Sequence, residues 1–219
     1  MKKNILALVV LSFITVVSCK KEEKTEPVVT EETKENTVTG FYTVDNAQSI
    51  INWEGSKPTG KHTGTIALKD GNFEVGDGKI TGGTFTIDMT SITVTDLTED
   101  TGKTDLETHL KGTGDKEAED HFFNITKFPS SNFKISSVTE ANGGSMVNGT
   151  LTIKDITKEV SFPAEIVITD TDVSLISDSF TINRTLWGVN YASKSIFDDL
   201  KDKFVNDEIG LVIKVKATK

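Results

Sequence analysis

The chain has 219 residues, of which 36% are hydrophobic and 26% charged, with 33 acidic against 24 basic side chains and a net charge of −9. That is enough apolar content for one core and too little for a multi-span membrane protein. An acidic chain without a basic block argues against nucleic-acid binding, which phosphate neutralisation drives. A lone cysteine, Cys19, excludes an internal disulfide, a CxxC redox centre and a cysteine-built zinc site.

Lys2 and Lys3 precede an apolar run, Ile5 to Val17, that has the length of a secretory h-region and is short for a membrane span. The run ends in Val16-Val17-Ser18-Cys19, which resembles a bacterial lipobox. Residues 1–18 are expected to be a lipoprotein signal that is removed. Cys19 is then the lipid attachment point, and the compartment is the bacterial cell envelope, periplasmic or surface-exposed. Residues 19–39 are rich in Glu, Lys and Thr, and no aromatic residue lies among them. Such a stretch buries too little apolar surface to order itself and reads as a flexible tether. Residues 40–219 remain for one folded domain.

From Gly40 onward the pattern is β. Ser49, Ile51 and Trp53 alternate with polar neighbours, as do Ile66 and Leu68. Asp70-Gly71 has the composition of a two-residue turn, which predicts a hairpin between Ile66–Lys69 and Asn72–Val75. Phe85, Ile87 and Met89 share one face of a long strand, and Phe133 and Ile135 follow on another. After a turn at Asn142-Gly143-Gly144 come Val147, Gly149, Leu151 and Ile153, then Val160, Phe162, Ala164, Ile166 and Ile168. Phe180 with Ile182, and Ile209, Leu211, Ile213 and Val215, complete the stripes. The 31 threonines add to the β bias. Eight to ten strands, each apolar on one face, fit an antiparallel sheet curled around one interior. These stripes suit a side-chain-filled barrel as well as one with a lipid cavity.

Helical signals interrupt the strands. Thr104-Asp105-Leu106-Glu107 has capping-box spacing, Leu106 and Leu110 lie one turn apart, and Gly112 is a stop. A second short helix is expected at 115–123. A third is expected at 195–204, where Ile196, Leu200 and Phe204 are in register. The first two fall in the one large insertion between strands, Leu97 to Pro129.

Motifs of catalysis are missing from the sequence: it has no Gly-x-Ser-x-Gly elbow, no P-loop and no Gly-x-Gly-x-x-Gly. The three histidines, His62, His109 and His121, lack metal-ligand spacing, and His62 reads as a turn residue. Arg184 shares strand parity with Phe180 and Ile182, so its guanidinium points inward and needs a partner, either an aspartate (Asp45 or Asp88) or backbone carbonyls.

The segments also carry a family resemblance. They include Tyr42-Thr43-Val44-Asp45 with Ser49-Ile50-Ile51-Asn52-Trp53, Lys61-His62-Thr63-Gly64, and Gly82-Gly83-Thr84-Phe85-Thr86-Ile87-Asp88-Met89. His109-Leu110-Lys111, Asp120-His121-Phe122-Phe123 and Lys127-Phe128-Pro129 follow, then Gly149-Thr150-Leu151-Thr152-Ile153-Lys154 and Asn183-Arg184-Thr185-Leu186-Trp187-Gly188-Val189-Asn190-Tyr191. In this order they resemble the YceI-like family of lipid- and polyisoprenoid-binding envelope proteins. The chain departs from that pattern at the extra residues 112–119 and at Asn183, where the family commonly has Asp.

The resemblance implies an all-β, lipocalin-like extended antiparallel barrel of about eight strands, with short helices in the insertion and near the C-terminus. It implies a non-enzymatic protein whose long apolar pocket takes an amphiphile: a polyisoprenoid, a quinone tail or a fatty-acid derivative. Ligand contact is then expected at Trp53, Phe85, Ile87, Phe133, Leu151, Phe162, Phe180, Arg184 and Trp187. Core packing is the competing role for each apolar member of that set. No metal or cofactor is expected beyond a bound isoprenoid or other long-chain lipid. The expected partners are that amphiphile and, through the anchor, a membrane; nucleic acid is not among them, and a homodimer stays open.

Overall fold

The computed structural model describes residues 38–141 and 143–219. The signal, Cys19 and the tether as far as residue 37 lie outside the described residues. Eleven strands and one α-helix follow in chain order. They are β1 (Gly40–Val44), β2 (Ile50–Lys57), β3 (Gly60–Gly76), β4 (Lys79–Asp88), β5 (Thr93–Val94), α1 (Lys103–Lys111), β6 (Ser130–Ala141), β7 (Gly144–Ile153), β8 (Ile156–Ile168), β9 (Asp172–Ser177), β10 (Phe180–Asn183) and β11 (Glu208–Thr218).

Period-2 patterning makes each strand two-faced, and an antiparallel ring is the arrangement that buries every apolar face at once. The order β2-β3-β4-β6-β7-β8-β9-β11 closes because β11 pairs with β9 on one edge and with β2 on the other. Registers bring the stripes opposite one another: Ile51 faces Ile213, Phe85 faces Phe133, Phe133 faces Leu151, Val147 faces Phe162, and Leu175 faces both Ile166 and Val215. β10 continues along the edge of β11 that β9 occupies, with Phe180 opposite Leu211. β1 lies across one end, pairing with β3 and with the tail of β11. Val38 and Thr39, assigned to the tether by composition, already contact the barrel. Val38 is buried and accepts the Gly78 N–H at 2.8 Å, and the Thr39 hydroxyl accepts the Asp77 N–H at 3.2 Å.

The hairpin expected at Asp70-Gly71 does not form. β3 runs straight through it, and the chain reverses instead at Asp77-Gly78, both at positive φ. Beside the dipeptide whose composition suggested a turn, the β3–β4 pairing carries only a register shift, between Leu68 and Asp70. Gly71 is there for clearance, since a Cβ would lie 2.8 Å from the Phe85 ring and from the Thr84 carbonyl.

The insertion keeps one of its two helices. α1 forms, but its N-cap is Gly102, and the reciprocal Thr98–Thr101 box sits on the preceding 3₁₀ turn rather than at Thr104. Gly112 stops the helix in the left-handed region, as its position predicted. The helix expected at 115–123 shrinks to one 3₁₀ turn, Lys116–Ala118. The chain there turns back so that the Phe123 and Ile125 N–H groups donate to the Leu110 and Lys111 carbonyls, at 3.1 and 2.9 Å.

The helix expected at 195–204 is likewise replaced, by turns and a 3₁₀ turn at Lys201–Lys203. Ile196 and Phe197 are left exposed, so no facing element buries the stripe that a short helix needs for stability.

Candidate functional site

Inside the ring lies an apolar cavity of about 420 Å³. Its wall is the inward face of the strands, so the lumen is not filled by side chains. Phe162 stacks on Phe180 at 4.7 Å between centroids, and Phe133 lies 5.7 Å from Phe162. Phe73 meets Phe85 edge-on at 5.0 Å deeper in the lumen. Below them β1 closes the floor: the fully buried Tyr42 pairs opposite Phe73, and its hydroxyl donates to the Thr169 carbonyl at 2.9 Å.

All nine residues expected to touch a ligand border this cavity: Trp53, Phe85, Ile87, Phe133, Leu151, Phe162, Phe180, Arg184 and Trp187. Trp187 does so as a cap. It is 2% exposed, and its indole N–H donates to the Leu151 carbonyl at 3.0 Å, so it is buried rather than presented at the surface. The sequence reading missed the mouth residues Leu106, Leu110, Phe122 and Tyr191, which also line the cavity. They come from the insertion and from the loop after β10, where no period marks them.

Arg184 points inward as parity required, and of the two expected kinds of partner it takes backbone carbonyls rather than Asp45 or Asp88. Nε donates to the Asn206 carbonyl (3.0 Å), Nη1 to Val189 (2.6 Å) and Nη2 to Val205 (2.9 Å), and Asp207 lies 3.7 Å from Nη2. Asp45 instead accepts from Ala47 and Gln48, and Asp88 from Thr90. Burial pulls the guanidinium pKa below its ordinary value, against the opposing charge of Asp207. Burial also resists charge on Asp207, but hydrogen bonds from Ser193 and Ser195 and the Arg184 charge outweigh it and hold the carboxyl below the usual range. The guanidinium therefore organises the loop that returns from the mouth to β11. Asn183 accepts from the Thr185 N–H and hydroxyl and so starts the turn that carries Arg184.

The histidines are placed in two pairs of contacts. His62 is not a turn residue: it lies on β3, and its Nδ1 is 2.9 Å from Asp96. His109 on α1 and His121, twelve residues apart, meet at 2.9 Å between Nε2 and Nδ1, packed against Tyr191 at 4.7 and 4.3 Å. Burial, and then the neighbouring His121, push the His109 pKa below its ordinary value. Among the described residues no three His, Cys, Asp or Glu side chains are grouped to hold a metal ion.

The pattern of the YceI-like domain matches residues 42–217. The chain belongs to that family. No curated protein matches it in sequence. Among solved structures, the YceI-like chain resembles Burkholderia cenocepacia BcnA at 20% identity and a TM-score of 0.60, over 80% of this chain and 99% of that one. It also resembles a polyisoprenoid binding domain from Saccharophagus degradans, described as implicated in plant cell wall breakdown, at 12% identity and a TM-score of 0.57, over 81% and 97%. At these identities the likeness is one of fold.

Two outcomes follow for the YceI-like mouth. Arg184→Leu strands three carbonyls and Asp207, and urea denaturation should show a loss of about 3–5 kcal/mol. Arg184→Lys should recover little of it, because an ammonium cannot span the fork. The depressed His109 pKa means that the fold resists its protonation. Stability should be full above the ordinary histidine value of about 6.5 and fall as pH drops through it. His109→Phe should flatten the melting temperature between pH 7.5 and 5.5 (about one unit either side of that value); an unchanged slope removes His109 as its source.

Proposed function

We propose that this YceI-like protein binds an apolar amphiphile, carrying or sequestering it in the bacterial cell envelope without catalysis. The observation that carries the reading is the cavity: apolar on its walls, closed at the floor by β1, and lined near its mouth by Ser56, His62, His109 and Tyr191. Such a lumen suits a long hydrocarbon tail with a polar head at the opening. A polyisoprenoid, a quinone tail or a fatty-acid derivative fits that description, and the Saccharophagus degradans domain of similar fold is named for polyisoprenoid binding. Ten buried methylenes would contribute roughly 8 kcal/mol before ordering costs, which leaves micromolar affinity or better within reach.

The second part of the reading is the anchor. The lipobox-like Val16-Val17-Ser18-Cys19 and the aromatic-free stretch after it support a lipoprotein held to a membrane through Cys19.

Native mass spectrometry of residues 37–219 purified without detergent, followed by solvent extraction, should find a stoichiometric long-chain adduct. A clean apo mass together with no saturable binding of prenyl, quinone or fatty-amide probes would remove the carrier reading. For the anchor, the N-terminal peptide of protein isolated from envelopes should begin at Cys19 and carry acyl chains. A free thiol there rules the anchor out.

A further inference from the structure

The excursion between Ala192 and Val205 is the part of the mouth left without a role. Its ends are pinned: the Val205 N–H donates to the Ala192 carbonyl at 2.9 Å, and Asn206 is tied to Ser56 by a backbone N–H at 2.9 Å and by Nδ2 at 2.8 Å. Between the pins, Ile196 and Phe197 are each 47% exposed. Ala192, Asp199 and Lys201 sit at φ of 48°, 69° and 50°, the left-handed region that side chains with a Cβ disfavour. Yet the same stretch has a helical period, with Ile196, Leu200 and Phe204 on one face, Phe197 beside them, and Ser195, Asp198, Lys201 and Asp202 on the other. A sequence with the pattern of an amphipathic helix is held in a backbone that disfavours its residues and leaves half its apolar stripe in water.

We propose that residues 195–204 are a lipid-docking element. On contact with a bilayer the excursion folds into an amphipathic helix, its apolar face enters the acyl boundary, and the mouth is brought against the membrane for ligand exchange. The inference rests on the amphiphile-binding reading above and names the surface from which that ligand is taken or to which it is given. A bilayer is the occupant that the rim fits. Leu186 and Ile156, both exposed, stand on neighbouring parts of the same end, and the Ile156 side chain reaches the turn after Leu186 at Gly188. Lys203 and Val205 at the end of the same loop line the cavity itself, so the segment borders the mouth. Lys194, Lys201 and Lys203 balance Asp198, Asp199 and Asp202, so a chain of net charge −9 presents a locally neutral segment here. Long lysines flanking an apolar stripe keep their charges at the headgroups while the stripe is buried.

The test uses the full chain carrying Phe197→Trp, titrated with phosphatidylcholine vesicles and no added ligand. Only this probe reports the loop, because Trp53 and Trp187 are common to the wild-type control. Membrane attachment through the N-terminus does not confound it. The expected result is a blue shift with protection from iodide, accompanied by a gain of helical circular dichroism. Lys201→Gly relieves the left-handed residue and weakens the helix, so it should raise the lipid concentration at half-maximal shift about tenfold. Asp199→Ala favours the helix and should lower it. No shift at saturating lipid in Phe197→Trp and in a second reporter, Ile196→Trp, overturns the proposal. So does an equal response from Lys201→Gly and Asp199→Ala. A protein that carries an amphiphile and fails these tests overturns this inference alone, and one that docks but has a clean apo mass and no saturable binding of prenyl, quinone or fatty-amide probes overturns only the carrier reading.

Discussion

Closure of the ring through β11 is the constraint on which the remaining features depend. Lys214 pairs with Ile50 on one edge and Ile176 on the other, and Leu211 with Trp53 and Phe180 in the same way. A sheet of this length with free edges would expose unpaired backbone groups and invite aggregation. Once the edges are joined, every inward position must be apolar or internally paired, because water no longer reaches it freely. The phenylalanines satisfy the first condition and Arg184 the second.

The two ends of the ring solve the problem of termination differently. At the floor the solution is packing: Tyr42, Phe73, Val173 and Ala217 are all fully buried, and one hydroxyl finds one carbonyl. At the mouth the solution is electrostatic. A loop that must cross from β10 to β11 without regular structure presents carbonyls inward, and a guanidinium collects three of them. The first end is therefore dry and fixed, whereas the second is polar, built from long connections and bordered by exposed apolar side chains.

Strand faces were readable because alternation is a local property. Of the nine residues expected at the ligand, the seven on strands are brought to the lumen by register, and Arg184 and Trp187 reach it from the turn after β10. Family segments added the expectation of an apolar pocket, which periodicity alone left open against a side-chain-filled barrel. What was not readable depends on partners distant in sequence. Asp70-Gly71 has the composition of a turn, and only the approach of Phe85 from β4 shows that the glycine serves clearance. The carbonyls that hold Arg184 carry no side-chain signature, and Asp207 lies 23 positions away along an irregular loop. His109 and His121 looked unrelated at twelve residues apart until the insertion folded back on α1. The period at 195–204 was read correctly as a pattern and incorrectly as a structure, because a helical stripe forms a helix only where something covers it.

With β1 packed across the end opposite the mouth, behind the lining residue Phe73, the lumen is a blind tube. Whatever tail goes in must go in end-first and come out backwards, so loading and unloading share one route and one barrier. A blind tube is also a ruler. A chain shorter than the distance from floor to mouth leaves void behind it, and each unfilled stretch forfeits contacts on the surrounding wall. A longer chain holds its head beyond the rim, away from the histidines and Tyr191. For the proposed amphiphile, selection by length would then come from how this end is packed around Phe73, with no residue needed to recognise the far end of the tail.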